Sequence, residues 1–269
     1  MKGLLFYDHE GARRNEWFID RLIASAERRG CELRLIVHKK GDEFTARSGY
    51  DFAIVRTIDP DLNEALESFS IPTFNNSMTS RVANDKYKTY LLACELGIPV
   101  MDTVLISSDT YLTALDYPMV IKSVDGHGGS EVFKVENAEE CKLKLSLLQD
   151  KRVIAQSLCD EAGVDTRVYV MGDKVLGAAK RTSQTDFRSN FSLGGSAEMV
   201  TATDEMTDAI RKLGESLSFD FVGVDFIRHK GRWVLNEIED VVGTRMLYSL
   251  TDIDAADRYI GYVLDRVTK

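Results

Sequence analysis

Residues 221–240 read FVGVDFIRHKGRWVLNEIED, and the placement of their acids decides how the rest of the chain is read. Phe221 to Arg228 and Arg232 to Glu239 are rich in Val, Ile, Phe and Trp. His229, Lys230 and Gly231 between them make a tight glycine-containing turn, so the pattern predicts a β-hairpin. Pairing Arg228 with Arg232 sets Asp225 opposite Leu235 and Gly223 opposite Glu237. The period of two then puts Asp225, Glu237 and Glu239 on one face, with Val222, Val224, Phe226, Val234 and Ile238 turned to a core. Diagonal neighbours on such a face lie roughly 7–8 Å apart, within reach of carboxylate arms converging on one ion. Three clustered carboxylates beside Trp233 and Leu235 need a countercharge or must take up protons. Oxygen-only ligands without His or Cys suit Mg²⁺ or Mn²⁺. An exposed hairpin with ordinary surface acids has the same pattern, and the hairpin alone does not separate the two readings.

The chain has 269 residues, of which 44% are hydrophobic, enough to bury a substantial core in two packed units. Its formal charge of -9 disfavours a nucleic-acid or anionic-membrane partner, which would reward a basic face. Cys31, Cys94, Cys141 and Cys159 show no CxxC spacing and sit in apolar or helical stretches, as buried free thiols do. With no apolar run long enough to span a bilayer and no signal peptide after Met1, the expected compartment is a reducing cytoplasm.

The first third alternates strand and helix. Strands are expected at Gly3–Tyr7, Glu32–Val37, Asp51–Val55 and Pro72–Phe74, with helices at Glu16–Arg29 and near Asp61. This rhythm implies a small parallel sheet, and the absence of GxGxxG after the first strand disfavours a dinucleotide site there. An exposed sheet edge in this unit leaves a homodimer open. Further on, Asn84 is expected to cap a helix through Leu96, and a helix is expected from about Thr110. Met119–Lys122 and Arg152–Gln156 read as strands, Asp165–Lys180 as a hairpin, and Asp204–Leu217 and Ala255–Val267 as helices. Thr182 to Ser196 has no obvious structure of its own, and loops that long in a compact domain are usually functional or disordered.

The loop Asp125-Gly-His-Gly-Gly-Ser130 lies between two strands and lacks the GxxxxGK[ST] pattern, so it is not a P-loop. Its glycines let backbone N–H groups approach phosphate oxygens closely, as a flexible lid would, although glycine-rich turns are common. Lys122 adds a cation at the end of the preceding strand, and Lys86 reads as helix surface. Arg181, Arg188 and Asn190 bracket the long loop, and planar donors of this kind clamp phosphate or carboxylate oxygens. Scattered surface arginines are the plain alternative.

The order of these pieces carries more than any one of them. NDKYKTYLLACELGIPV, YPMVIKSVDGHGGSEV, DTRVYVMGDKVLGAAKR, DFRSNFSLGG and GVDFIRHKGRWVLNEIE resemble, in that order, the ATP-grasp superfamily and its RimK/LysX-like branch of carboxylate–amine ligases. The resemblance is weak over the first seventy or so residues and strong from Asn75 onward. It implies an α/β and α+β architecture: a small parallel-sheet pre-ATP-grasp domain at 1–82, then a two-lobed ATP-grasp domain at 83–269. The lobe 83–156 would carry the glycine loop and the lobe 157–269 the metal hairpin. ATP and Mg²⁺ (or Mn²⁺) are the implied cofactors. Lys86 and Lys122 match lysines that meet the nucleotide phosphates, and Gly126 and Gly129 match the phosphate-covering loop, with Glu131 where a third glycine is usual. Gln156, Ser157, Leu158 and Cys159 match the hinge beside adenine, with Ser157 and Leu158 departing from the usual Glu-Tyr. Asp165 matches an acid near the ribose. Arg181, Arg188 and Asn190 match catalytic residues facing the phosphates and acyl substrate. Asp225, Glu237 and Glu239 match the metal ligands, with Glu239 in place of the usual Asn. Arg56 loosely matches an arginine for a substrate carboxylate.

The implied reaction joins a carboxylate to an amine of an amino acid or peptide through an acylphosphate. A carboxylate is a poor acylating agent until phosphorylation supplies phosphate as leaving group, and donor and acceptor are both anionic, so clustered cations are needed. Two alternatives stand beside it: a small-molecule phosphotransferase, and a catalytically silent nucleotide-binding regulatory subunit. There is no GxSxG, and none of the four histidines falls in a recognisable metal or triad pattern.

Overall fold

The structure, a computed structural model, describes residues 1–42, 49–106, 115–148, 150–183 and 196–268. Its first sheet is parallel, in the order β2-β1-β3-β4, and is built from β1 (Lys2–Tyr7), β2 (Glu32–Val37), β3 (Phe52–Val55) and β4 (Thr73–Phe74). Alternation along β1 decides what packs where. Leu5 and Tyr7 join a core with α2 (Glu16–Arg28) and α9 (Ala255–Val267), while Leu4 and Phe6 join Leu62 and Leu66 of α3 (Pro60–Ser68). The C-terminal helix therefore returns to the first unit and packs on α2.

A second, antiparallel sheet follows the order β5-β8-β6-β7, from β5 (Thr103–Leu105), β6 (Met119–Ser123), β7 (Val132–Val135) and β8 (Val153–Ser157). Met119, Ile121, Val153 and Ala155 bury one face against α6 (Ala138–Ser146). The third sheet runs β11-β10-β9-β12-β13, with β9 (Val164–Met171), β10 (Lys174–Thr182), β11 (Ser196–Val200), β12 (Phe221–His229) and β13 (Arg232–Glu239). Val168, Val170, Val222 and Val224 bury its first face beneath the amphipathic α7 (Asp204–Leu217). Its second face is divided. Tyr169, Met171 and Phe221 enter the core shared with α2 and α9, while Arg167, Arg181 and Asp225 make a polar end.

The helix expected from an Asn84 cap starts one residue later than that cap implies, and an unexpected helix precedes it. Asn76 caps α4 (Ser77–Ala83) by accepting from Thr79 N at 2.7 Å, and Asn84 closes that helix by donating to Ser80 O at 2.8 Å. Asp85 is then the cap of α5 (Lys86–Glu95), accepting from Lys88 N at 2.9 Å. The short helices α1 (His9–Arg14) and α8 (Arg245–Leu250) complete the described elements. The helix expected from Thr110 begins outside the described residues.

Asn75 joins the first unit to the third sheet. Its Nδ2 donates to Phe221 O at 3.0 Å and Asp240 O at 2.9 Å, and its Oδ1 accepts from Asp220 N at 2.6 Å and Phe221 N at 2.9 Å. No helix among the described residues is long and apolar enough to cross a membrane. Cys31 and Cys141 are buried free thiols as expected, whereas Cys94 is exposed and Cys159 half-buried.

Candidate active site

The hairpin forms, but its register differs from the simple count. Lys230 and Gly231, with φ of 49° and 72°, make a two-residue turn of the I′ kind, so His229 pairs with Arg232 and Phe226 with Leu235. Continued without interruption, that ladder would set Asn236 opposite Asp225 and turn Glu237 into the core. A β-bulge at Asn236 corrects the parity: Asp225 pairs with Glu237 and Gly223 with Glu239. The expected pairing of Asp225 with Leu235 is thus replaced, yet the three carboxylates share one face. One ligand oxygen from each of Asp225, Glu237 and Glu239 lies within 4.8 Å of the others, and this all-carboxylate set fits a hard divalent cation.

Their countercharge comes from arginines on the adjoining strands. Arg167 lies beside Asp225 across the β9–β12 ladder, Nε donating to Oδ1 and Nη2 to Oδ2, both at 2.7 Å. The same Nη2 reaches Glu239 Oε1 at 2.6 Å. Gly223 leaves that path open, since a Cβ there would lie 3.4 Å from Arg167 Cδ and 2.7 Å from Val242 Cγ2. Arg181 bridges Asp225 and Asp165, its Nη2 to Asp225 Oδ2 at 2.7 Å and its Nε to Asp165 Oδ1 at 2.6 Å. Burial opposes charge on Asp225, but Arg167 and Arg181 outweigh it and hold its carboxyl below the usual range. Withdrawal from water raises Glu239 despite Arg167, helped by the neighbouring acids. With every group ionised, Asp165, Asp225, Glu237 and Glu239 against Arg167 and Arg181 leave two negative charges.

Beside the carboxylates, a narrow cleft lies between the second sheet and the hairpin. Lys86, Lys122, Gln156, Tyr90, Leu235 and Asn236 line it. Lys86 opens α5, its N–H donating to Val124 O at 3.0 Å and its ammonium to Gly126 O, so the helix start is tied to the glycine loop. Lys122 stands 5% exposed near the end of β6, its Nζ 3.4 Å from Asn236 Oδ1. Burial pushes its ammonium down to about 8; Lys86 adds to this and Glu237 resists it. Gln156 donates to Thr103 Oγ1 at 2.9 Å and, with Ser157, ends β8, so Leu158 and Cys159 follow at the mouth of that strand. Glu131 pairs with Lys151 and packs its carboxylate against Gly126, with Gly129 further round the turn.

Lys86, Lys122 and Gln156 are thus brought to one cleft. Arg181 and Asp165 do not line it: they are committed to each other beneath the carboxylates. Arg56 is buried at the joint of the first unit and the third sheet, donating to Val242 O at 2.6 Å with its guanidinium over Phe18 and Phe221. Arg188, Asn190 and most of the Thr182–Ser196 loop lie outside the described residues. Sequence reasoning missed Arg167 and Asn236. An arginine inside the strand VDTRVYVM reads as one solvated position, and a bulge leaves no mark in a β-rich run.

A family model described as the RimK-like ATP-grasp domain matches residues 83–263, and the chain belongs to this family. A protein of Mycoplasma pneumoniae, named only as an uncharacterized MG011 homolog, is 33% identical over 168 residues, 62% of this chain and 58% of that one. The chain therefore spans less than two thirds of that relative's length. The glutamate–LysW ligase ArgX of Sulfolobus acidocaldarius is 28% identical over 230 residues, 80% of this chain and 82% of its own. In fold, the chain resembles the D-alanine–D-alanine ligase of Bacillus anthracis, solved with ATP. The TM-score is 0.77 at 17% identity, covering 100% of this chain and 97% of that one.

Proposed function

We propose that the chain is an ATP- and Mg²⁺-dependent ligase that joins the carboxylate of one substrate to the amine of another, either being an amino acid or peptide, through an acylphosphate. The convergence of Lys86, Lys122 and Gln156 on a cleft beside the three carboxylates carries this reading. The nucleotide lies between a lobe of residues 83–156 and a lobe of 157–269, behind a pre-ATP-grasp unit of 1–82. Lys86 and Lys122 meet the phosphate oxygens, Gly126 and Gly129 cover them, and Gln156 to Cys159 border the adenine. Asp225, Glu237 and Glu239 hold the divalent ion, which when bound neutralises the phosphate chain. Arg167 and Arg181, with Asp165, hold Asp225 and Glu239 from beneath. Arg188 and Asn190 keep the roles that their motif implies.

In the first step a carboxylate oxygen attacks the γ-phosphorus, the bond to the β–γ bridging oxygen breaks, and ADP leaves. The amine then attacks the acyl carbon, expels inorganic phosphate and releases a proton to solvent. Lys86 and Lys122 serve by countercharge and position, the main contributions to phosphoryl transfer. The exposed edge strand β2 is the surface on which a homodimer would form.

ArgX is named a glutamate ligase, so L-glutamate is the first substrate to offer, with a panel of carboxylates, ATP, Mg²⁺ and hydroxylamine. An ATP-dependent hydroxamate that disappears in Lys122→Met is expected. A phosphotransferase would consume ATP and give none. Failure of ATP with Mg²⁺ to shift thermal unfolding would sink the reading outright.

A further inference from the structure

A second cavity opens at the far end of β12. Asp220, just before that strand, stands five residues from Asp225, roughly 17 Å along an extended backbone. About 660 Å³ of space, part of it open to solvent, is bordered there by Phe74 and Val267, and its ionisable and amide side chains are Glu67, Asn76, Asp220 and Arg266. Two of these are already satisfied. Glu67 accepts from Thr73 Oγ1, Ser77 N and Ser77 Oγ at 2.5, 2.7 and 2.5 Å. Asn76 donates to Leu217 O and Ser218 O and accepts from Thr79 N.

Asp220 and Arg266 differ. Asp220 is 3% exposed, and its carboxylate accepts one hydrogen bond, from Tyr262 OH to Oδ1 at 2.9 Å. Arg266, on the last turn of α9, lies with its guanidinium 6.0 Å from the centre of the Tyr262 ring. Among the described residues no hydrogen bond or ion pair engages that guanidinium. A buried anion and a cation that rests on the Tyr262 ring line one cavity without a direct ion pair. Burial raises the Asp220 carboxyl to about 6 even with Arg266 nearby, as an anion lacking a direct countercharge requires.

We infer that this cavity binds a small zwitterion of the α-amino acid class, its ammonium on Asp220 and its carboxylate on Arg266. The side chain of the ligand lies against Phe74 and Val267. A simple amine would face Arg266 and a simple carboxylate would face Asp220, so each is repelled where the zwitterion is matched. The site is separate from the nucleotide cleft and does not depend on the ligase reading.

Calorimetric titration of the full chain with glycine, L-alanine, L-lysine and L-glutamate, without nucleotide, tests it. Saturable binding of at least one is expected, with none for its N-acetyl or methyl ester form. Asp220→Asn and Arg266→Gln should each weaken binding by about tenfold or more. Arg266 is exposed, so its variant guards against misfolding, and Lys122→Met in the other cleft should leave binding unchanged. Absence of saturable binding up to tens of millimolar would overturn the proposal. So would affinities in both cavity variants within about twofold of wild type, or loss of binding in Lys122→Met.

Discussion

On the proposed reading Lys122 has to be charged to meet phosphate, yet it is buried in the cleft, and these two conditions conflict. Burial brings its ammonium down to about 8, so near neutral pH it is still protonated, and above that it titrates. A neutral amine gives phosphate no countercharge, so the sign is fixed: ATP affinity without divalent metal holds up to about pH 8. It then falls, approaching about tenfold per pH unit. Lys122→Arg should move the fall beyond the measurable range, as fluorescence titration across neutral and alkaline pH would show. The burial of Lys122 in the cleft was not legible from its place at a strand end, where a lysine is most often solvated; only the family resemblance singled it out. Arg167 was not legible either, because its role exists only in the register: nothing local to VDTRVYVM says that Asp225 will lie beside it or that Gly223 will clear its way to Glu239.

At the scale of elements, periodicity gave α7 and α9 with the bounds found in the structure, since both carry an apolar stripe wide enough to face a core. It missed α4, whose SMTSRVA has no such stripe, and that omission moved the start of α5 by one residue. The hairpin was legible as a hairpin, but its pairing was not: a two-residue turn moves the register by one, the bulge at Asn236 moves it by one more, and the total of two restores which face each acid takes. Deletion of Asn236 tests this geometry. Glu237 then inherits the place opposite Asp225, and Mn²⁺ affinity should stay within about threefold of wild type by calorimetry. In an unbulged ladder with Asp225 opposite Leu235, the same deletion would turn Glu237 and Glu239 into the core and abolish binding.

Across the whole molecule, α9 ties the beginning of the chain to its end. Asp257 accepts from Ser25 Oγ at 2.9 Å, from Arg28 Nη2 at 2.9 Å and from both terminal nitrogens of Arg29 at 2.7 and 2.8 Å. The Arg29 hydrogen bonds, then those of Arg28 and Ser25, hold its carboxyl well below the usual range. A folded-state value below the unfolded one contributes stability above about pH 4, lost as pH falls through the folded value. The cluster is partly open to solvent, so Asp257→Asn should cost about 1 kcal/mol near neutral pH, or about 2–4 °C in Tm. The difference from wild type should shrink in acid, as paired thermal melts would show. The parallel sheet of the first unit was readable from its strand–helix rhythm, but its attachment to the third sheet was not, because Asn75 lies in a loop with no pattern of its own. That single side chain satisfies backbone groups of Asp220, Phe221 and Asp240, which bracket the carboxylate strands. The front third of the chain is therefore not an exchangeable module. A graft from another protein has to bring an asparagine to the same place, or it leaves four buried backbone groups bare, at about 1–3 kcal/mol each, at the root of the hairpin on which the acids stand.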